Sequence, residues 1–238
     1  MAGRGSRFLS EGFDIPKPLL KVVGIPMVIR ALSSLRRNNN IRLIVVALEE
    51  HDASFQLHEL FKNYGYEIEL VLIKNVTRGQ LCTVLCAEHL ITENTSLLVV
   101  PSDTYVDSNI LDEIESLEDG VAGLISVYNL PGDRWSFART DDYNNVVEVA
   151  EKVRISNFAS TGLYFFSDSE IFFKYSNEII LNNELTSGEF YVIPVYNKYI
   201  KNGEKVRISL ARAVYDMGTP DAKFEVEELI KNSNLGDI

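Results

Sequence analysis

The 238-residue chain carries 34 acidic against 23 basic side chains, for a formal net charge of −11. That balance excludes a nucleic-acid binder, which would present a basic face, and it opposes attraction to an anionic membrane. No charged-then-apolar leader and no bilayer-length apolar run is expected, and the length suits one large α/β domain or two small ones.

In chain order the apolar patterns predict alternating strands and helices. Ile41 to Leu48 reads as a buried strand and Asp52 to Tyr64 as a helix presenting Phe55, Leu57, Leu60 and Phe61. Strand Ile68 to Ile73, helix Gly79 to Leu90, strand Ser96 to Val100, helix Ile110 to Leu117 and strand Val121 to Tyr128 follow. This alternation implies βα crossovers and a Rossmann-like, mixed and mainly parallel sheet flanked by helices. The second half is less regular. Strands Trp135 to Arg139 and Val146 to Ala150 surround a polar turn, and then come strand Thr161 to Phe166, helix Glu170 to Leu181 and helix Gly188 to Lys201. Strand Val206 to Val214 precedes a helix from Pro220 to Asn232 capped by Thr219 or a neighbour. Asn38-Asn39-Asn40 is read as a helix-ending loop and the terminal Asn-Leu-Gly-Asp as a frayed tail. One domain is expected, with residues 1–120 as a nucleotide-binding half and 121–238 as an acceptor-binding half.

Cys82 and Cys86 stand four apart in a helical pattern, a spacing that does not give ordinary disulfide geometry, which fits a reducing, cytoplasmic setting. With no further cysteine, a zinc site is not expected. His51, His58 and His89 show no ligand spacing, and no Ser-His-Asp constellation stands out.

Chemistry concentrates at the start. In Met1-Ala2-Gly3-Arg4-Gly5-Ser6-Arg7-Phe8, two glycines beside a serine and an arginine let backbone N–H groups approach an anion without Cβ obstruction. The loop lacks the Gly-Lys-Ser/Thr ending of a P-loop and the third glycine of the dinucleotide fingerprint, so alone it also reads as a tight turn. Pro16-Lys17-Pro18 adds a lysine whose backbone is fixed on both sides. Arg7 and Lys17 together suit the phosphates of a nucleoside triphosphate.

Asp103, in Pro101-Ser102-Asp103, follows a buried strand and is a candidate Mg²⁺ ligand, since that ion is held by one or two carboxylates plus substrate phosphates. Asp107 is read as a cap of the following helix. Asp216 ends a strand before a proline-started helix and reads either as a turn aspartate or as a site residue. Glu151-Lys152 is either a solvated surface pair or an acceptor clamp, with the ammonium on a phosphate and the carboxylate on hydroxyls. Trp135 is read as an aromatic lid over the core or a ligand-stacking ring.

Taken together these residues resemble the sugar-1-phosphate nucleotidylyltransferase (NDP-sugar pyrophosphorylase) family, over Ala2 to Phe224. The signature segments are Ala2 to Phe8, Pro16-Lys17-Pro18-Leu19 and Gly24-Ile25-Pro26-Met27, followed by Pro101-Ser102-Asp103, Glu151-Lys152, Ser160 to Phe165, Gly188-Glu189-Phe190-Tyr191 and Tyr215 to Thr219. A short branch from capsule and surface-glycan clusters looks most similar. The resemblance implies a nucleotide-diphospho-sugar transferase (GT-A-like) fold. It implies that Ala2, Gly3, Gly5 and Ser6 meet the triphosphate, and that Gly79 and Gln80 meet the base. Glu151, Lys152, Thr161, Gly162 and Glu189 would meet the acceptor, and Asp103 and Asp216 would hold Mg²⁺. It also implies a buried β-strand directly before the glycine loop. The chain as given starts inside that motif, so this first strand is expected to be missing, with the true start upstream and a loss of about 1.5–3 kcal/mol per buried apolar side chain.

The implied reaction is in-line attack of an already ionised acceptor phosphate on the α-phosphorus, with pyrophosphate leaving and no general base required. Related branches take phosphocholine or other phosphorylated alcohols. A non-catalytic nucleotide-sugar-binding regulator is a competing reading, whereas a glycosyltransferase would prefer an Asp-x-Asp that Asp103 to Asp107 does not supply. A homo-oligomer is left open.

Overall fold

A computed structural model describes residues 1–3, 5–35 and 41–233. Arg4, the Asn38-Asn39-Asn40 loop and the Asn-Leu-Gly-Asp tail lie outside the described residues. The chain opens with helix α1 (Ser6–Ser10), a 3₁₀ turn at Lys17–Leu19, and a tight hairpin of β1 (Lys21–Val22) and β2 (Ile25–Pro26) that leads into α2 (Met27–Ser33). Then come β3 (Ile44–Leu48), α3 (Glu49–Phe55), α4 (Leu57–Asn63) and β4 (Glu69–Ile73). The middle holds α5 (Gln80–Leu85), β5 (Leu97–Val99), β6 (Thr104–Asp107), α6 (Ile110–Glu115) and β7 (Val121–Tyr128). The last part holds β8 (Ser136–Thr140), β9 (Val146–Glu151), β10 (Phe158–Phe166), α7 (Ser169–Leu181), α8 (Val195–Lys201), β11 (Lys205–Leu210), β12 (Ala213–Asp216) and α9 (Pro220–Ser233).

Several elements are shorter or more divided than their hydrophobic patterns imply, for local reasons. The helix expected over Asp52 to Tyr64 breaks at Gln56, which sits at φ 48 while the Asp52 carboxylate accepts the Leu57 N–H at 2.9 Å and so restarts the helix as α4. The helix expected from Gly79 becomes α5 plus a separate 3₁₀ turn at Glu88–Leu90. The helix expected from Gly188 begins only after Pro194, because Ser187 and Gly188 hold positive φ and Thr186 bridges to Glu189. Thr219 does cap α9, its hydroxyl accepting the Ala222 N–H at 3.3 Å.

The elements gather into two compact units, each drawn from separated stretches. Met1–Thr77, Pro101–Val106 and Val214–Ile238 form the first, and Arg78–Val100 with Asp107–Ala213 form the second. In the first unit, β3 and β4 pair in parallel and β6 pairs with β12. Its apolar cluster joins Phe8, Leu20, Val22 and Met27 to Met217, Val226 and Ile230. Buried Arg30 donates from Nε to the Val22 carbonyl at 2.6 Å and thereby pins the β1–β2 hairpin.

The second unit is built on a mixed sheet of order β11-β7-β10-β8-β9, with β5 also on β10. β11 runs parallel to β7, whereas β5, β7 and β8 meet β10 antiparallel. Its core is aromatic: Phe166 stacks on Tyr196 at 4.5 Å between ring centres, with Phe172 and Tyr199 around them. The register of β10 against β7 slips between Ser160 and Tyr164, so Thr161 and Gly162 stand in a bulge. Bulges re-aim side chains and recur next to active sites. This mixed α/β sheet flanked by helices is the class expected from the sequence. Among the described residues, no helix is long and apolar enough to cross a membrane.

Candidate active site

In the first unit the sequence brings three charged residues together across long separations. Lys17 opens a 3₁₀ turn between its two prolines, with the Leu19 N–H bonded to the Pro16 carbonyl at 2.8 Å. Its Nζ forms an ion pair with Oδ2 of Asp103. Asp103 lies just before β6, and its carbonyl accepts the Met217 N–H at 2.8 Å, which ties it to the turn after β12. In that turn the Asp216 Oδ1 accepts the Gly218 N–H at 2.9 Å. Met217, fully buried in the apolar cluster, anchors this turn between the two polar residues.

A Cβ built on Gly218 would stand 2.9 Å from Asp216 Oδ1 and 3.2 Å from Asp103 Oδ2. Both carboxylates therefore converge on a cradle that exists because residue 218 has no side chain. Among the described residues, no group of three or more His, Cys, Asp or Glu side chains could hold a metal ion. Two carboxylates with open surroundings fit Mg²⁺, which keeps its remaining sites for water and phosphate oxygens.

The glycine loop lies in the same unit. Ala2 is buried, while Gly3 and Arg7 are exposed. Gly5 holds φ 60, and a Cβ there would come within 2.9 Å of the Lys17 Cβ. Glycine at this position thus permits both the left-handed turn and the approach of the Lys17 stem. Ser6 and Arg7 start α1, which Phe8 anchors by burying its ring edge-on to Phe13 at 5.4 Å. Asp107 does not cap α6. Its carboxylate receives Arg212, and Asn109, the residue preceding α6, makes no side-chain cap bond. An arginine fork bonds a carboxylate more strongly than the end of a six-residue helix does.

In the second unit Gly79 holds φ 133 and packs on the backbone of Phe190, with the Leu81 N–H on the Phe190 carbonyl at 2.9 Å and the Phe190 N–H on the Arg78 carbonyl at 3.0 Å. These bonds lock Gly79 and exposed Gln80 to the strip that carries Glu189.

Glu151 ends β9, is 8% exposed and faces Ser136 across the β8–β9 ladder, whose hydroxyl donates to Oε2. Burial pushes its carboxyl above the ordinary glutamate value, against the Ser136 bond that favours the charged form. Behind it, the buried Tyr164 hydroxyl donates to Ser136 Oγ at 3.4 Å, and burial lifts that phenol to about 12.

Lys152, at φ 56, donates to the Tyr191 hydroxyl at 2.5 Å and lies 4.7 Å from the ring centre. The Tyr191 bond raises the lysine's pKa, and Tyr191 in turn bonds Glu189. Thr161 is buried with its hydroxyl unpartnered, and the Gly162 N–H bonds Ser160 Oγ at 3.1 Å. The pair reading of Glu151-Lys152 as a mere surface couple does not match this geometry: one is buried on serine and the other points to a tyrosine.

Ser136 and Tyr191 escape the sequence reading as site residues. Ser136 lies fifteen residues from Glu151, and only the ladder register reveals the pairing. Trp135 neither covers the core nor stands free. It is half-buried, donates to the Pro131 carbonyl at 3.0 Å and lies under the Arg134 guanidinium. Cys82 and Cys86 are free thiols, and the Cys86 thiol donates to the Cys82 carbonyl.

The sequence matches the family described as Nucleotidyl transferase over residues 1–233. The chain belongs to this family. It is 24% identical to the bifunctional protein GlmU of Methanococcus aeolicus, aligned over the whole chain but only 56% of that protein, so it spans little more than half of this curated relative. Its structure is similar to the nucleoside-diphosphate-sugar pyrophosphorylase of Vibrio cholerae RC9, with a TM-score of 0.84, 27% identity, and 96% of this chain and 98% of that one covered. It also shares its fold with the inositol-1-phosphate CTP transferase of T. maritima, with a TM-score of 0.74, 17% identity, and 98% and 94% covered.

Proposed function

We propose that this chain transfers a nucleotidyl group from a nucleoside triphosphate to a sugar 1-phosphate with Mg²⁺, releasing pyrophosphate and forming a nucleotide sugar for surface polysaccharide. The observation that carries the reading is the convergence of Lys17, Asp103 and Asp216 on the cradle at Gly218. A turn that gathers one cation and two carboxylates from residues up to 199 positions apart suits a substrate bearing several phosphates. The Vibrio cholerae relative, a nucleoside-diphosphate-sugar pyrophosphorylase, supports the sugar phosphate as acceptor.

In this reading Asp103 and Asp216 hold the metal. When bound, Mg²⁺ neutralises phosphate charge and orients the reacting groups. Arg7 neutralises the leaving pyrophosphate, and Lys17 bridges phosphates as charge builds between the attacking and leaving oxygens. Ala2, Gly3, Gly5 and Ser6 lie along the triphosphate, and Gly79 and Gln80 present the base-contacting edge. Lys152, aimed by Tyr191, anchors the acceptor phosphate. Glu151 and Glu189 accept hydrogen bonds from acceptor hydroxyls, and the unpartnered Thr161 hydroxyl and the Gly162 bulge line the same acceptor. The acceptor phosphate is ionised at neutral pH, so positioning and charge neutralisation do the catalysis.

The test is pyrophosphate release by the purified chain with Mg²⁺, using ATP, CTP, GTP, UTP and dTTP against sugar 1-phosphates and phosphorylated alcohols including phosphocholine and inositol 1-phosphate. Release with one pair names both substrates. Asp103→Asn is expected to abolish that release while the thermal transition stays intact, and retained turnover removes Asp103 from the metal site. Release only with a phosphorylated alcohol replaces the sugar in the reading, and silence with every pair favours a nucleotide-sugar-binding regulator.

A further inference from the structure

The proposed chemistry asks Lys17 to touch phosphate and Asp103 to touch metal, yet in this structure they touch each other. The oxygen involved is Asp103 Oδ2, the same atom that faces the Gly218 cradle. An ammonium in contact with that oxygen and a divalent cation bound to it would repel one another at short range. Both side chains keep about a quarter of their surface exposed, 23% and 24%, so an ion can reach the pair from solvent.

We propose that Lys17 is the resident counter-ion of Asp103, and that the divalent cation binds by exchanging with it and freeing the ammonium for the triphosphate. The inference rests on the nucleotidyltransferase reading for what the freed ammonium then does. Three features hold the lysine in its resting position. The two prolines and the 3₁₀ turn fix its backbone, Gly5 leaves room for its stem, and the Asp103 backbone is held independently by Met217. The exchange makes metal and triphosphate mutually dependent: phosphate draws Lys17 away and so opens Asp103 to the metal, and by linkage the metal favours phosphate equally. The free protein therefore binds divalent cations weakly.

The experiment measures Mn²⁺ binding to the nucleotide-free protein by the loss of the free-ion paramagnetic resonance signal. Lys17→Gln is expected to tighten Mn²⁺ binding about fivefold, the upper end for releasing one partly exposed ion pair. Lys17→Arg, which keeps the charge, stays near wild type, and Lys21→Gln, an exposed charge on the neighbouring strand, shifts binding less than twofold on the screening of exposed charges. Asp103→Asn added to Lys17→Gln abolishes the gain. Unchanged or weaker binding in Lys17→Gln overturns the proposal, as does an equal gain in Lys21→Gln, which would reduce the effect to net charge.

A second measurement needs no variant. Acylation of the Lys17 amine in the wild-type protein, followed by mass spectrometry, should speed up on adding Mg²⁺, and a rate indifferent to Mg²⁺ equally overturns the exchange. Neither readout needs turnover, so a protein silent in the pyrophosphate assay can still display the exchange, and an active one can still lack it.

Discussion

Replacing Gly79 by alanine attacks the proposed base-contacting edge through the backbone of its neighbour. The residue holds φ 133 and ψ 178, a region open almost only to glycine, and forcing another residue there costs about 1–3 kcal/mol. The new Cβ would also stand 2.5 Å from the Phe190 carbonyl oxygen and 2.6 Å from its nitrogen. Neither atom is the end of a flexible side chain, so the two strips must separate. That separation puts at risk the Leu81-to-Phe190 and Phe190-to-Arg78 bonds, each worth about 1 kcal/mol net. The sum is about 3–5 kcal/mol, and at about 2–4 °C per kcal/mol for a chain of this size the midpoint of unfolding should fall by roughly 10 °C. Differential scanning calorimetry at fixed pH reads it directly. Gly3→Ala is the control, since a Cβ there meets nothing within 4 Å, and its midpoint should match wild type within the scatter of about 0.5 kcal/mol for surface changes. A Gly79→Ala midpoint within about 2 °C of wild type would refute the argument that the Phe190 contact is rigid.

Gly218→Ala should behave in the opposite way. Its φ lies outside the left-handed region and the atoms nearest its Cβ would belong to the Asp216 and Asp103 carboxylates rather than to backbone, so the thermal midpoint should hold while kcat/KM for pyrophosphate release falls about 100-fold, the scale of a misplaced reacting group; activity within about threefold of wild type, on the same scale, would argue against the cradle. Burial raises the Glu151 carboxyl pKa, so this residue's stabilising contribution is complete below the ordinary glutamate value of 4.5 and is lost as pH rises through the folded-state value. Glu151→Gln should therefore unfold at a higher temperature than wild type at pH 8, with the difference gone at pH 4, and a pH-independent difference would contradict the burial argument. Tyr191→Phe keeps the ring over Lys152 but removes its hydrogen-bond partner; acceptor KM should rise about threefold with kcat little changed, and steady-state kinetics showing kcat alone reduced would remove Tyr191 as the residue that aims Lys152.

Much of the fold was legible because apolar periodicity survives packing. Val121 to Tyr128 is a strand with the boundaries its run of apolar residues implies, and the start of α9 follows from Thr219 and Pro220. Breaks were harder, because they depend on single residues in unusual backbone states. Nothing in the apolar pattern marks Gln56 as left-handed, and the carboxylate that restarts the helix belongs to Asp52 inside the preceding one. The Asp107 reading failed on a long-range partner: proximity suggested α6, but Arg212, 105 positions away, takes the carboxylate.

Site residues with ionic character, such as Lys17 and Asp103, stood out in the sequence because their chemistry is specialised. Ser136 and Tyr191 did not, since serines and tyrosines are common and their part here comes from register and a neighbouring loop. The meeting of Lys17 with Asp103, 86 positions apart, is a tertiary fact that no local pattern contains.

The first unit is threaded from three stretches of chain, and its two carboxylates ride on the later two. A ribosome must deliver Asp216 before the pair with Asp103 exists, and α9 before Val226 and Ile230 can close the cluster around Met217. Contacts of such sequence separation form late and slowly. Both stretches of the second unit are thus synthesised before Asp216, and the turn that joins Asp216 to Asp103 completes only after them.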